Sequence, residues 1–390
     1  MFTPASPLLD LNDSPLDPRQ RAVVQRVSDA ERAHILALPS NDPLDAKLRV
    51  RVEATGPELF GQPQAIRETL TLNASALDSI AEHLVIAVNR VVLVGCGDSL
   101  AVMVAARQAL ETMLGVPCEP VQSLEFAYYQ ADLVDEHTAV IALSSSGETT
   151  RTVEALLMAQ HRGSYTVSIT NTAGSTLQTE ASTSLKIEAT RVGWPTQSST
   201  AALALLLELA VRIGERRVPE RASALRDALD DVPELVGEVL TRVDPVIAGI
   251  AESEVAAGVH NVLFAGAGPN LASAIVGAAK VKECTTLHAV DIQIEEYHHY
   301  NSQNAGEPLF LFAPSGPSVP RAVDTARDAL RWGGRLYVVT TDGEMAFDEF
   351  DATIIAMPSV PEPLSPLLYL VIAQLVGYHL GLSCYAAAAR

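Results

Sequence analysis

Several features are scarce in this sequence, and each scarcity removes a class of function. The four cysteines, Cys96, Cys118, Cys284 and Cys384, are scattered over 390 residues without CxxC spacing, which fits the reduced thiols of a cytoplasmic protein better than a disulfide framework. Bases are outnumbered, 27 Lys and Arg against 47 Asp and Glu for a formal charge of −20, and no basic block stands out. A non-specific polyanion partner such as nucleic acid is therefore not expected, and any anion that binds must be held locally. The start, MFTPASPLLDLNDSPLD, has no basic segment followed by an apolar run, so no signal peptide is read. One long apolar run exists, LLYLVIAQLVGYHLGL at 367–382, interrupted by Gln374, Tyr378 and His379. It is shorter than the usual span of about 20 residues and reads as a buried core helix, with no membrane partner.

What the chain does have is apolar content, 48%, enough to bury one large core or two ordinary domains. One pattern occurs twice. VVLVGCGDSLAVMVAARQALE (91–111), TAVIALSSSGETTRTVEALLMAQ (138–160) and TVSITN (166–171) are echoed by NVLFAGAGPNLASAIVGAAKVKE (261–283), PLFLFAPSGPSVPRAVDTARDAL (308–330) and RLYVVTTD (335–342). Short β-branched runs alternating with longer helical patterns argue for βαβ units, hence an α/β protein with buried parallel sheets and helices on both faces. The division expected is an N-terminal arm and helix at 1–60, a first domain at 61–230 that opens with a helix over 61–84, and a second at 231–390.

In an open parallel sheet, ligands settle at the carboxyl ends of strands. The stretch LSSSGETT lies at such an end, where a strand enters a helix whose first N–H groups and dipole favour an anion. Ser144, Ser145, Ser146 and Thr149 add hydroxyl donors there, while Gly147 permits the turn. Ser146 as a mere helix cap explains one serine more readily than the whole cluster. The turn GCGDSLA (95–101) lacks the third glycine of a dinucleotide fingerprint, with Leu at position 100, so no nucleotide cofactor is expected. Ser99 and the backbone of Gly97 and Asp98 serve the same anion or sugar hydroxyls instead, and Thr196, Ser198 and Ser199 open a third hydroxyl-rich helix start.

GCGDS, LSSSGET and SITNTAGSTL, with GAAKVKE in the second copy, resemble the sugar isomerase (SIS) domains, in the order and spacing of the isomerase half of glucosamine-6-phosphate synthase. The resemblance covers roughly residues 60–380. It implies two tandem SIS domains, each a five-stranded parallel sheet flanked by helices, usually dimeric with sites near the interface. It implies a phosphate site at Ser144, Ser145, Ser146 and Thr149, with Ser99 and Thr196 nearby. Glu283 matches the proton-shuttling glutamate, Lys280 a substrate-site lysine, and His299 a ring-opening histidine that often reaches the neighbouring subunit's site. The second copy has APSGPSV where the first has SSSGETT, its prolines removing donors, so it is expected to supply catalytic groups and not a second phosphate site. His298 and His299 beside Glu295 and Glu296 lack HExxH spacing, and no metal is expected.

Departures from that resemblance shape the expected activity. No glutaminase domain precedes the match, so glutamine-dependent amidotransfer is not expected; the chain ends GLSCYAAAAR without the synthase's terminal lysine. Arg191 stands where the synthase has an acid, and Ser145 replaces a glutamine. A partly desolvated carboxylate is a competent base for moving a proton between C1 and C2, and a histidine can pass the ring-oxygen proton near neutrality. The expected function is a phosphosugar isomerase or deaminase on an aminohexose or ketohexose phosphate. The alternatives are a fructosamine-phosphate deglycase and a regulator that only binds sugar phosphate.

Overall fold

A computed structural model describes residues 14–37, 46–300 and 302–389. The first thirteen residues of the expected arm lie outside the described residues. Three helices lead in: α1 (Pro18–Leu36), α2 (Ala46–Phe60) and α3 (Gln62–Ala87). Helix α1 starts where its local chemistry dictates. Asp17 accepts from the Gln20 N–H at 2.8 Å, the Gln20 side chain accepts in return from the Asp17 N–H, and Pro18 occupies the first turn. The helix expected at 61–84 is α3, extended by one turn; α2 was not expected.

The first repeat then runs β1 (Arg90–Gly95), α4 (Asp98–Leu114), β2 (Cys118–Gln122), a short α5 (Ser123–Glu125), β3 (Thr138–Leu143), α6 (Thr150–His161), β4 (Tyr165–Thr170), a short α7 (Thr176–Glu180), β5 (Thr183–Lys186) and α8 (Gln197–Arg217). Helices α9 (Pro219–Asp230) and α10 (Val232–Ala256) lead to the second: β6 (Asn261–Gly266), α11 (Leu271–Cys284), β7 (His288–Gln293), β8 (Pro308–Ala313), α12 (Val319–Arg331), β9 (Arg335–Thr341), β10 (Thr353–Met357) and α13 (Pro366–Ala388).

Both sheets are five-stranded and parallel throughout, with orders β2-β1-β3-β4-β5 and β7-β6-β8-β9-β10. The orders are the same, so the duplicated sequence pattern is a duplicated topology. Strands such as TAVIAL of β3 are buried along their whole length, as a sheet with helices on both faces requires. The largest apolar cluster draws on both halves, from Leu59 and Leu93 to Phe310 and Leu380. Helix α13 is longer than its apolar run suggested: at 23 residues it is long enough to span a bilayer, yet 78% of its most apolar window is buried inside the protein. Burial, not length, makes it a core helix.

Candidate functional site

In each sheet the strand order reverses once, between the first and third strands, and that reversal opens a crevice at their carboxyl ends. In the first sheet the crevice holds a cavity of about 250 Å³. Its walls are the turn after β1 (Cys96 to Ser99), the loop after β3 (Ser144 to Ser146, with Thr149), the start of α8 (Ser198, Ser199), Arg191 and Pro195 from the β5–α8 connection, and Glu283 from α11. Glu283 is the one contribution of the second half to that wall among the described residues.

The hydroxyl loop is built by its own hydrogen bonds. Ser144 Oγ accepts from the Gly147 N–H at 3.1 Å and lies 2.9 Å from Thr149 Oγ1 and 3.3 Å from Ser146 Oγ. Ser146 Oγ accepts from the Glu148 N–H at 3.2 Å. Gly147 has φ +67°, and a Cβ there would run into Ser175 and Thr170, so the turn needs glycine. Helix α6 is flanked by Thr149, whose side chain makes no capping bond; Ser146 lies too far upstream to cap it. The Thr152 N–H donates to the Thr149 carbonyl at 3.0 Å, and the dipole of α6 favours an anion beside the hydroxyl loop. Ser145 Oγ is buried in this wall without a protein partner. The acid of the motif points elsewhere: Glu148 accepts from the N–H and hydroxyl of Thr176, at 2.7 and 2.8 Å. The loop thus presents donors without a competing carboxylate.

The opposite wall is electrostatically coupled across the two halves. Lys280 is 1% exposed, and its Nζ lies 2.6 Å from Asp98 Oδ2 and pairs with Glu283 Oε2. Burial alone would lower the ammonium's pKa; Asp98 and Glu283 outweigh that and hold it above the ordinary lysine range. Burial pushes the Glu283 carboxyl up, Lys280 opposes the rise, and Asp98 reinforces it, leaving the pKa above the ordinary glutamate range. Asp98 also accepts from Ser199 Oγ at 3.2 Å, tying the start of α8 to the pair. A carboxylate so placed can take up a carbon-bound proton nearer neutrality than a free one.

Of the residues expected at the site, Gly97, Ser99, Ser144, Ser145, Ser146, Thr149 and Glu283 line the cavity. Gly97 turns with φ +56° and leaves open space where a side chain would stand. Lys280 does not line it; buried behind Glu283, it positions that carboxylate instead of touching a ligand. Thr196 is also set back, flanking the start of α8 with its hydroxyl buried and unpartnered. His299 is not brought to this cavity: its side chain is 60% exposed and lies 3.5 Å from Glu295. His298 turns instead to Asp328 and Thr325, 3.0 Å from each. Sequence reasoning missed the side chain of Asp98, which reads as part of a glycine turn until α11 is packed against it.

Comparison with known proteins agrees with this architecture. Residues 84–212 match the model of the SIS domain. Glutamine–fructose-6-phosphate aminotransferase [isomerizing] of Yersinia pseudotuberculosis is 31% identical over 340 residues, covering 83% of this chain and 55% of the relative; the chain thus spans about half the length of that protein. The C-terminal domain of glucosamine-fructose-6-phosphate aminotransferase from Francisella tularensis superposes with a TM-score of 0.76 at 22% identity, over 84% of this chain and 95% of that one. Glucosamine-6-phosphate deaminase from Thermotoga maritima gives a TM-score of 0.60 at 21% identity, over 82% and 94%.

Proposed function

From a chain that carries an SIS domain over residues 84–212 and resembles the isomerase half of the aminotransferases, we propose a cytoplasmic phosphosugar isomerase or deaminase acting on an aminohexose or ketohexose phosphate, with no cofactor. The observation that carries this reading is a half-buried carboxylate with a raised pKa, Glu283, in the wall of the same small cavity as a hydroxyl loop at a helix start. The phosphate takes the donors of Ser144, Ser145, Ser146 and Thr149 at the N-terminal end of α6, with Ser99 and the Gly97 backbone beside them and Thr196 behind. That anchoring orients the far end of the sugar toward Glu283. Glu283 takes the proton from one of C1 and C2 and returns it to the other through an enediol, or an enamine where nitrogen is attached. Lys280 and Asp98 hold Glu283 in place and set its proton affinity. Repeats at 61–230 and 231–390 supply the anion site and the base respectively.

In this reading Glu283→Gln keeps the shape but removes the base. Solvent deuterium exchange at C1 or C2 of fructose 6-phosphate, followed by NMR, should fall about 100- to 10,000-fold, while calorimetric binding survives. Exchange at the wild-type rate in the variant would reject Glu283 as base, and no exchange by the wild type would leave a sugar-phosphate-binding regulator.

His299, exposed and away from its own cavity, is assigned to ring opening in the site of a second copy, which makes the active form a homodimer. Mixing the inactive Glu283→Gln and His299→Asn proteins after subunit exchange should then restore about a quarter of wild-type turnover of closed-ring substrate, since half the dimers are mixed and each has one intact site. No recovery would place His299 outside the shared site.

A further inference from the structure

The turn that carries His299 is fastened to its own chain. It leaves β7 at Ile294, whose N–H donates to the Gly266 carbonyl at 3.1 Å. Tyr297 is 3% exposed, and its hydroxyl donates to Gln303 Oε1 at 2.7 Å. His298 turns inward against α12: its side chain is 11% exposed, with Nδ1 3.0 Å from Asp328 Oδ2 and Nε2 3.0 Å from Thr325 Oγ1. Glu295 accepts from Arg321 at 2.7 and 2.8 Å and lies 3.5 Å from His299 Nε2. Arg321, Thr325 and Asp328 are spaced four and three apart, so one face of α12 receives the turn.

Both ring nitrogens of His298 have partners, and the proton inventory fixes how they bond. A carboxylate only accepts, so Nδ1 carries a proton. The Thr325 hydroxyl serves either way: it donates to Nε2 of a neutral ring, or accepts from a protonated one while its own proton goes to the Arg321 carbonyl, 3.1 Å away. The ring is therefore held at both ends in either charge state.

We propose that His298 is a positioning residue: clamped between Asp328 and Thr325, it fixes the backbone that presents His299 to the cavity of a second copy. This rests on the reading of His299 as the ring-opening group in that shared site. A group that acts in another chain's cavity is not oriented by that cavity until the two copies meet, so its own chain must preorganise it. His299 has little hold of its own. Its side chain is 60% exposed, and its N–H donates within the same turn, to the Glu296 carbonyl at 3.1 Å. The clamp is its immediate neighbour, buried where His299 is exposed. Ring opening breaks the bond between the anomeric carbon and the ring oxygen; the anomeric hydroxyl gives up a proton as the carbonyl forms, and the ring oxygen gains one. A histidine that passes that proton must reach the sugar accurately. A loosened turn therefore slows this step and spares the later proton transfer by Glu283.

The test is solvent deuterium exchange at C1, followed by NMR, on fructose 6-phosphate and on 5-deoxyfructose 6-phosphate, which lacks the hydroxyl that closes the ring. In the whole chain, His298→Ala should slow exchange on fructose 6-phosphate by up to about 100-fold, the cost of misplacing a reacting group by about 1 Å, and leave the open analogue at the wild-type rate. Asp328→Ala should act in the same sense, and the double variant should be no slower than His298→Ala alone, because the two side chains form one clamp. His298→Asn keeps an N–H within reach of Asp328 and should recover part of the loss. Equal slowing of both substrates, or slowing of neither, overturns this inference while His299→Asn stays selective for the closed ring. If His299→Asn is not selective either, the ring-opening reading of His299 falls, and this inference with it.

Discussion

Asp98 shares Lys280 with Glu283, and so bears on how the cavity wall titrates. A base works deprotonated, so kcat/KM should rise with pH through the Glu283 pKa, on an acid limb above the ordinary glutamate range. The two neighbours pull that limb in opposite senses. Asp98→Asn removes a negative charge that raises the Glu283 pKa and frees Lys280 to pair with Glu283 alone, so the limb should move to lower pH. Lys280→Met keeps the buried volume but removes the cation that lowers the pKa, so the limb should move to higher pH. A pH profile of kcat/KM for both variants checks this; shifts in one direction, or none, would mean that Asp98 and Lys280 are merely structural. Asp98 has no reading in the sequence beyond the turn GCGDS, since its partner comes from α11 of the other repeat. Lys280 was read as touching substrate, and its burial behind Glu283 shows that two residues three apart on a helix can share a face without sharing a surface.

At the scale of elements, what could be read locally was read. Apolar runs ending in hydroxyl-rich turns became β1 and β3 with the cavity at their carboxyl ends, and the repeat became two sheets of identical order. Ser144, Ser146 and Thr149 are close in sequence, so their convergence is a property of one turn. Helix α2 escaped notice because its Gly56-Pro57 pair reads as a breaker, yet Pro57 lies within the helix. Tertiary demand overrides that signal: Gly56 lets the helix meet the Tyr378 hydroxyl of α13, where a Cβ would stand 2.5 Å from it. Missing α2 hid how the β5–α8 connection is held, since Glu58 and Thr55 of α2 accept from the N–H groups of Val192, Gly193 and Trp194. Glu148 illustrates the converse error available to a motif reading. It sits within the hydroxyl loop in sequence, but spends both oxygens on Thr176 and shapes the loop from behind.

At the scale of the whole molecule, two repeats do not make two independent units. The main apolar cluster runs through both sheets and the helices between them, and α11 of the second repeat packs on α4 of the first with Lys280 held between Asp98 and Glu283. Separating the halves would bare that apolar surface and break the Asp98–Lys280 pair that crosses it. The halves should therefore unfold together. The sequence contains two tryptophans, Trp194 in the first repeat, stacked under Arg51, and Trp332 after α12 in the second, half exposed beside Arg331. Trp194→Phe and Trp332→Phe thus each leave a fluorophore in one half only. In each variant, thermal melting followed by fluorescence should coincide with melting of the whole sheet and helix content followed by far-UV circular dichroism, the mark of a cooperative transition. Divergence of the two probes within one sample by more than roughly 2–4 °C, the shift that 1 kcal/mol produces in a domain of 150–250 residues, would show that the repeats melt separately and that the Asp98–Lys280–Glu283 contact does not bind them into one unit.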